Sequence, residues 1–176
     1  MRSHTLLRTA LKFAAHKHAG QVRKGTDIPY LVHPFEVGMY LQNIGMTNDV
    51  IMAGYLHDTL EDTDTTLNEL SNIFGSRIAS IVAEVSATSK TNALKKAETY
   101  SPDAMKVKVA DLMCNVSDIY DGYKEVGIAI LDRFADGKKT IKHYKEMVIL
   151  LQKRAKNMPI LKKELESILT MLNSIV

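Results

Sequence analysis

Apolar residues recur at helical spacing along almost the whole chain. In the stretch 5–17, Leu6, Leu7, Ala10, Leu11, Ala14 and Ala15 fall on one helix face, and Gly20 follows as a stop. A turn-rich stretch, 21–30, is basic at its start and precedes a second helix, which Pro34 opens and Gly45 ends. Thr47 or Asn48 caps a third helix through the apolar run 50–56, with Asp49 placed to favour the dipole. Thr66-Leu67-Asn68-Glu69 is a capping box for a fourth, halted at Gly75, and a fifth covers 76–87. The polar stretch 88–101 reads as a loop holding a short helix. Pro102 then opens a helix to about residue 120, and two more, about 137–156 and 160–174, flank Pro159. No segment alternates as a strand would. The predicted class is all-α, as one domain over 1–176.

Composition narrows the function without naming it. An apolar share of 45% and a charged share of 24% are those of an ordinary globular domain. No apolar run approaches the ~18 residues that a membrane span needs, and the N-terminus enters an amphipathic pattern with no signal-peptide core. The single cysteine, Cys114, excludes an internal disulfide and a cysteine-based metal site, and it fits a reducing cytoplasm. The net charge of +3 favours an anionic small molecule, while an aromatic content of 6% leaves little to stack on nucleic acid. Much of the basic excess lies in 138–163, the pattern of a solvated helix face.

The chemistry concentrates in Tyr55-Leu56-His57-Asp58-Thr59-Leu60-Glu61-Asp62. A helical step of four sets His57 above Glu61 and Asp58 above Asp62. Acids at the end of a buried helix are costly unless a cation or hydrogen bonds compensate them. Two further polar residues interrupt apolar surroundings: His33 in Tyr30-Leu31-Val32-His33-Pro34, and Asp111 in Val107-Lys108-Val109-Ala110-Asp111-Leu112. Alone, His33 reads as a structural donor and Asp111 as a buried acceptor. Together with His57 and Asp58 they make two imidazoles and two carboxylates, a set suited to Mn²⁺, Fe²⁺ or Zn²⁺. Lys108, three residues before Asp111, is placed to meet a phosphate or to balance the acids. The nine methionines read as core filling, and Cys114 as a small buried hydrophobe. His18 reads as packing locally at the end of the first helix, and His4 and His143 as exposed.

The order His…His-Asp…Asp resembles the HD superfamily of metal-dependent phosphohydrolases. The strings His18-Ala19-Gly20-Gln21-Val22-Arg23-Lys24-Gly25, Pro29-Tyr30-Leu31-Val32-His33-Pro34, Leu56-His57-Asp58-Thr59-Leu60-Glu61-Asp62-Thr63, Phe74-Gly75 and Val107-Lys108-Val109-Ala110-Asp111 with Asn115 are similar to the motifs of its RelA/SpoT-type hydrolase domain. The resemblance spans roughly 5–156. It implies an HD helical bundle with the metal site between central helices and the helices of 137–174 packed on it, in the manner of a stand-alone small alarmone hydrolase. It further implies a Mn²⁺ ion on His33, His57, Asp58 and Asp111, with Glu61 and Asp62 positioning and deprotonating the attacking water. Arg23 and Lys24 would line the nucleotide pocket, and Asn115 would meet the ribose side. The implied activity is 3′-pyrophosphohydrolysis of (p)ppGpp, a small nucleotide, with neither nucleic acid nor membrane as partner. Leu112 and Ser117 stand where the family commonly has basic residues. These departures, read as substrate-side, motivate an alternative: a phosphatase of another nucleotide such as NADPH. A module that binds an alarmone without cleaving it is a third reading, opposed by the intact Glu61-Asp62 pair.

Overall fold

The computed structural model describes residues 2–175, with side chains from residue 5 onward; the side chain of His4 lies outside the described residues. The first helix, α1 (Arg2–Lys17), buries Ala10 and Ala14 completely, while Leu6 remains 40% exposed, so its inner face is narrower than the pattern suggests. Residues 21–30 then form a small hairpin held by an isolated antiparallel bridge between Val22 and Pro29. In it the Arg23 N–H donates to the Ile28 carbonyl and the Tyr30 N–H to that of Gln21.

Five helices follow: α2 (Val32–Asn43), α3 (Asn48–Leu56), the single turn α4 (Thr59–Asp62), α5 (Leu67–Phe74) and α6 (Ser76–Val85). Thr66 caps α5 as expected, its Oγ1 accepting from the Glu69 N–H at 3.1 Å, but the Glu69 carboxylate pairs with Lys17 at 3.2 Å instead of completing the box. The segment 88–101 contains α7 (Lys90–Ala97). Then come α8 (Pro102–Val126), a 3-10 turn (Gly127–Arg133), α9 (Gly137–Arg154) and α10 (Pro159–Ile175). The described residues contain no strand, and the class is all-α. No helix among them is long and apolar enough to cross a membrane.

Helix α3 is the axis of the bundle. Every residue from Val50 to Leu56 is buried, because α1 and α2 pack on one side of it and α6 and α8 on the other. The α2–α3 crossing is close because both helices present glycine there. A Cβ on Gly38 would stand 2.2 Å from Tyr55 Cε1, and one on Gly54 2.5 Å from Leu41 Cδ1. Helix α10 covers α8, and α9 packs against α7 and α10.

One expectation needs correcting. The third helix does not run on through Glu61 and Asp62. It stops at Leu56, His57 and Asp58 form a turn, and α4 begins at Thr59. Asp58, at φ −93° and ψ −5°, opens the ladder enough to swing its carboxylate toward α2 and α8.

Candidate metal centre and cleft

Three elements deliver the four residues singled out by type. The first turn of α2 brings His33, the turn after α3 brings His57 and Asp58, and the middle of α8 brings Asp111. His57 Nε2 lies 2.9 Å from Asp58 Oδ2 and 3.7 Å from Asp111 Oδ1. His33 Nε2 lies 3.2 Å from Asp111 Oδ1 and 3.6 Å from Asp58 Oδ2. Ligand atoms of His33, His57 and Asp58 all fall within 4.8 Å of one another. Asp111 Oδ1 closes the fourth side.

The donor set fits a divalent ion. His57 Nδ1 lies 2.8 Å from the Gly54 carbonyl and must donate to it, which turns Nε2 inward. That Nε2 is buried and, despite its 2.9 Å approach to Asp58, has no partner in hydrogen-bonding geometry. Buried polar atoms are rarely left this way, and a cation between them would satisfy both. Titration agrees. Burial alone would depress the His57 imidazole, but the Asp58 and Asp111 carboxylates outweigh it and push it up to about 10. Burial opposes ionisation of both carboxylates as well. His57 nevertheless holds Asp58 below the usual carboxylate range, and Lys108, with the imidazoles, does the same for Asp111. A centre that binds a proton so firmly offers the same negative potential to a metal, which competes for the same nitrogen.

Asp111 is fixed from outside. Its Oδ2 accepts from Lys108 Nζ at 2.8 Å, and its Oδ1 accepts from Asn115 Nδ2. Asn115 Oδ1 in turn accepts from Arg23 Nη2 at 3.3 Å, and the same nitrogen is ion-paired with Asp118. Arg23 is therefore anchored at the wall rather than projecting as a free cation.

Glu61 and Asp62 flank the centre separately. Glu61 Oε2 accepts from the Ala87 N–H at 2.8 Å, so the expected His57–Glu61 column gives way to a contact with the end of α6. The Asp58–Asp62 column does form, joined by Tyr30, whose hydroxyl lies 2.6 Å from Asp58 Oδ2 and 3.2 Å from Asp62 Oδ2. Partial burial, with the neighbouring carboxylates, pushes both Glu61 and Asp62 up from the ordinary range. A raised carboxylate is the better proton acceptor near neutrality.

One cavity opens on this centre and a second adjoins it. The smaller, about 220 Å³, is lined by the four residues together with Lys24, Tyr30, Glu61, Asp62, Lys108 and Asn115. The larger, about 540 Å³, shares Lys24, Tyr30, Asp62, Asn115 and Tyr144 with it. Over an apolar floor of Ile119 and Phe134 it adds Lys90 and Arg133, together with Arg23 and Lys139, which are ion-paired with Asp118 and Asp136 of the same lining. Of the residues expected to meet substrate, Lys24, Lys108 and Asn115 border the smaller cavity, whereas Arg23 borders only the larger.

Leu112 and Ser117 lie away from both. Leu112 is fully buried, and the Ser117 hydroxyl faces the sulfurs of Met113 and Met171 beneath α10. They lie off the substrate side, contrary to their reading in the sequence. His18 packs locally as expected, buried against Tyr30, whereas His143 is half-buried and not exposed. Cys114 is half-buried, and burial pushes its thiol up to about 12.

Several residues escaped the sequence reading. Tyr30 was visible only as part of a motif string. The roles of Asp118, Arg133 and Tyr144 come from long-range contacts that no local spacing encodes.

Residues 10–119 match the family model described as HD domain. A guanosine-3′,5′-bis(diphosphate) 3′-pyrophosphohydrolase of Aquifex aeolicus is 37% identical over 65% of this chain, which spans only 18% of that protein. The Mus musculus protein of the same name is 40% identical over 62% of this chain and 67% of its own length. Among solved structures, a metazoan ortholog of SpoT described as hydrolysing ppGpp superposes with a TM-score of 0.75 at 25% identity, covering 93% of each chain. A Listeria monocytogenes EGD-e protein shares the fold, with a TM-score of 0.72 at 21% identity over 85% of this chain and 99% of its own.

Proposed function

The chain belongs to the HD domain family, and from that premise we propose that it is a metal-dependent guanosine 3′,5′-bis(diphosphate) 3′-pyrophosphohydrolase. It would convert (p)ppGpp to GDP or GTP and pyrophosphate. The observation that carries this reading is the convergence of His33, His57, Asp58 and Asp111 from three elements, with Nε2 of His57 buried and unpartnered among the acids. The names of the Aquifex and mouse relatives support the substrate.

The four residues would hold one divalent ion, which we take to be Mn²⁺. When bound, the ion acidifies a water and offsets charge on phosphoryl oxygens. The chain's own groups do the rest. Glu61 is aimed by the Ala87 N–H and Asp62 by Tyr30, and between them they orient the attacking water and accept its proton. Lys108 and Lys24 face the smaller cavity and meet the 3′-pyrophosphate. Asn115, tied to both Asp111 and Arg23, borders the two cavities where the ribose would pass between them. The larger cavity is apolar beneath, with Lys90 and Arg133 beside the paired Arg23–Asp118 and Lys139–Asp136, and would take a purine carrying a 5′-diphosphate. We take 1–176 as one domain acting on a small nucleotide in the cytoplasm, without nucleic acid or membrane. Leu112 is buried and Ser117 faces Met113 and Met171, so neither lines the cleft, which favours the alarmone reading over a different nucleotide.

The test is product analysis. Purified protein with Mn²⁺ should release pyrophosphate from ppGpp and leave GDP, whereas NADPH at equal enzyme concentration should release far less phosphate. Tight ppGpp binding without turnover would overturn the hydrolase reading in favour of a binding module.

A further inference from the structure

Asp62 is braced by three side chains from outside its own helix turn. Gln21 Nε2 donates to the Asp62 backbone carbonyl at 2.8 Å. That donation fixes the amide, so Gln21 Oε1 accepts from His18 Nδ1 at 2.8 Å. The His18 ring packs on the Tyr30 ring with centroids 4.9 Å apart. The Tyr30 hydroxyl returns to Asp62 Oδ2. His18 is 2% exposed, so the brace rests on a buried support.

From this arrangement we propose that Tyr30 is a positioning residue, supported by His18 and Gln21, that locks the Asp62 carboxylate beside the metal centre for its work on the attacking water. The inference rests on the hydrolase reading above and deepens it. The phenol has one proton and two carboxylates within reach. Asp58 Oδ2, at 2.6 Å, is also the oxygen that faces both imidazoles. Once that oxygen is engaged on a cation its charge is largely spent, and Asp62 becomes the stronger acceptor. The hydrogen bond passes from Asp58 to Asp62, so a filled centre is also one in which Asp62 is held still. Misplacing a catalytic group by about 1 Å can cost on the order of 100-fold in rate, so a brace of this kind controls turnover more than substrate affinity.

Tyr30→Phe keeps the ring on His18 and removes only the hydroxyl. With ppGpp and saturating Mn²⁺, kcat should fall at least about tenfold with KM within about twofold, as for loss of an interaction made in the transition state. Mn²⁺ affinity, measured by calorimetry without substrate, should stay within about threefold of wild type. Gln21→Met, which leaves Tyr30 in place, should lower kcat in the same sense by a smaller factor. A kcat within twofold of wild type for Tyr30→Phe overturns the proposal. So does a kcat loss matched by an equal loss of Mn²⁺ affinity, which would make Tyr30 a partner of Asp58 alone. Wild type and Asp58→Ala run alongside separate the two levels: an inactive wild type sinks the hydrolase reading, whereas an active wild type with a fully active Tyr30→Phe sinks only this one.

Discussion

Gly38→Ala asks whether the close crossing of α2 and α3 sets the metal geometry. The added methyl would sit 2.2, 2.5 and 2.7 Å from three atoms of the Tyr55 ring. Contacts under 3.0 Å do not persist, so ring or helix must yield by about 0.8 Å. Tyr55 is only 7% exposed and its ring is rigid, so much of that movement must be taken up between the helices. Overpacking costs about 1–3 kcal/mol, and replacing a mid-helix glycine by alanine returns about 1 kcal/mol. The net destabilisation is then about 0–2 kcal/mol, or up to roughly 8 °C in Tm for a chain of this size. The same movement separates His33 on α2 from His57 after α3. Metal–ligand distances tolerate about 0.2 Å, so Mn²⁺ affinity should drop by about tenfold or more. Denaturation in EDTA gives the first quantity and calorimetric titration with Mn²⁺ the second. Wild-type Mn²⁺ affinity together with the expected loss of stability would refute the claim that this crossing positions the ligands.

Two other outcomes follow from the charges around Asp111 and His57. Lys108→Met removes the cation from Asp111 Oδ2, leaving a buried carboxylate unbalanced. The metal-free protein should lose about 3 kcal/mol, and the Mn²⁺-loaded protein much less because the ion takes over the compensation; denaturation with Mn²⁺ or EDTA decides it, and equal losses would show that Lys108 balances no metal ligand. His57 in the metal-free protein is raised from 6.5 to about 10, chiefly by Asp58 acting against burial. A raised folded pKa contributes stability that is fully present below about 6.5 and is lost as pH climbs through about 10. Unfolding in EDTA from pH 6 to 10.5 should therefore show a decline that His57→Asn flattens.

Much of the fold could be read from local signals. Thr66 capped α5, Gly75 stopped the helix, and Pro102 opened α8, because each acts within one helical turn. The convergence of the four candidate ligands could be anticipated from residue type, since His33 and Asp111 stood alone in apolar runs. What escaped depended on long-range packing. The break after Leu56 was not read because an i, i+4 spacing of acids suggested a continuous helix; the turn is held locally by His57 on the Gly54 carbonyl and Thr59 on the Leu56 carbonyl, and at long range by what Asp58 meets on α2 and α8. Leu112 and Ser117 looked like missing substrate cations, yet Leu112 lies in the core and Ser117 faces Met171 of α10, placements set by long-range packing. Arg23 reads as a free cation until Asp118, far along the chain, is folded against it.

The central claim is that His33, His57, Asp58 and Asp111 together hold one divalent ion that the hydrolysis requires. Titrating metal-stripped wild type and the four single alanine variants with Mn²⁺, and assaying pyrophosphate release from ppGpp on the same samples, tests it most directly. The account predicts one strongly bound ion per wild-type chain, and in each variant a parallel loss of the ion and of turnover. A variant that binds Mn²⁺ as wild type does, or one that turns over ppGpp without it, would contradict the account.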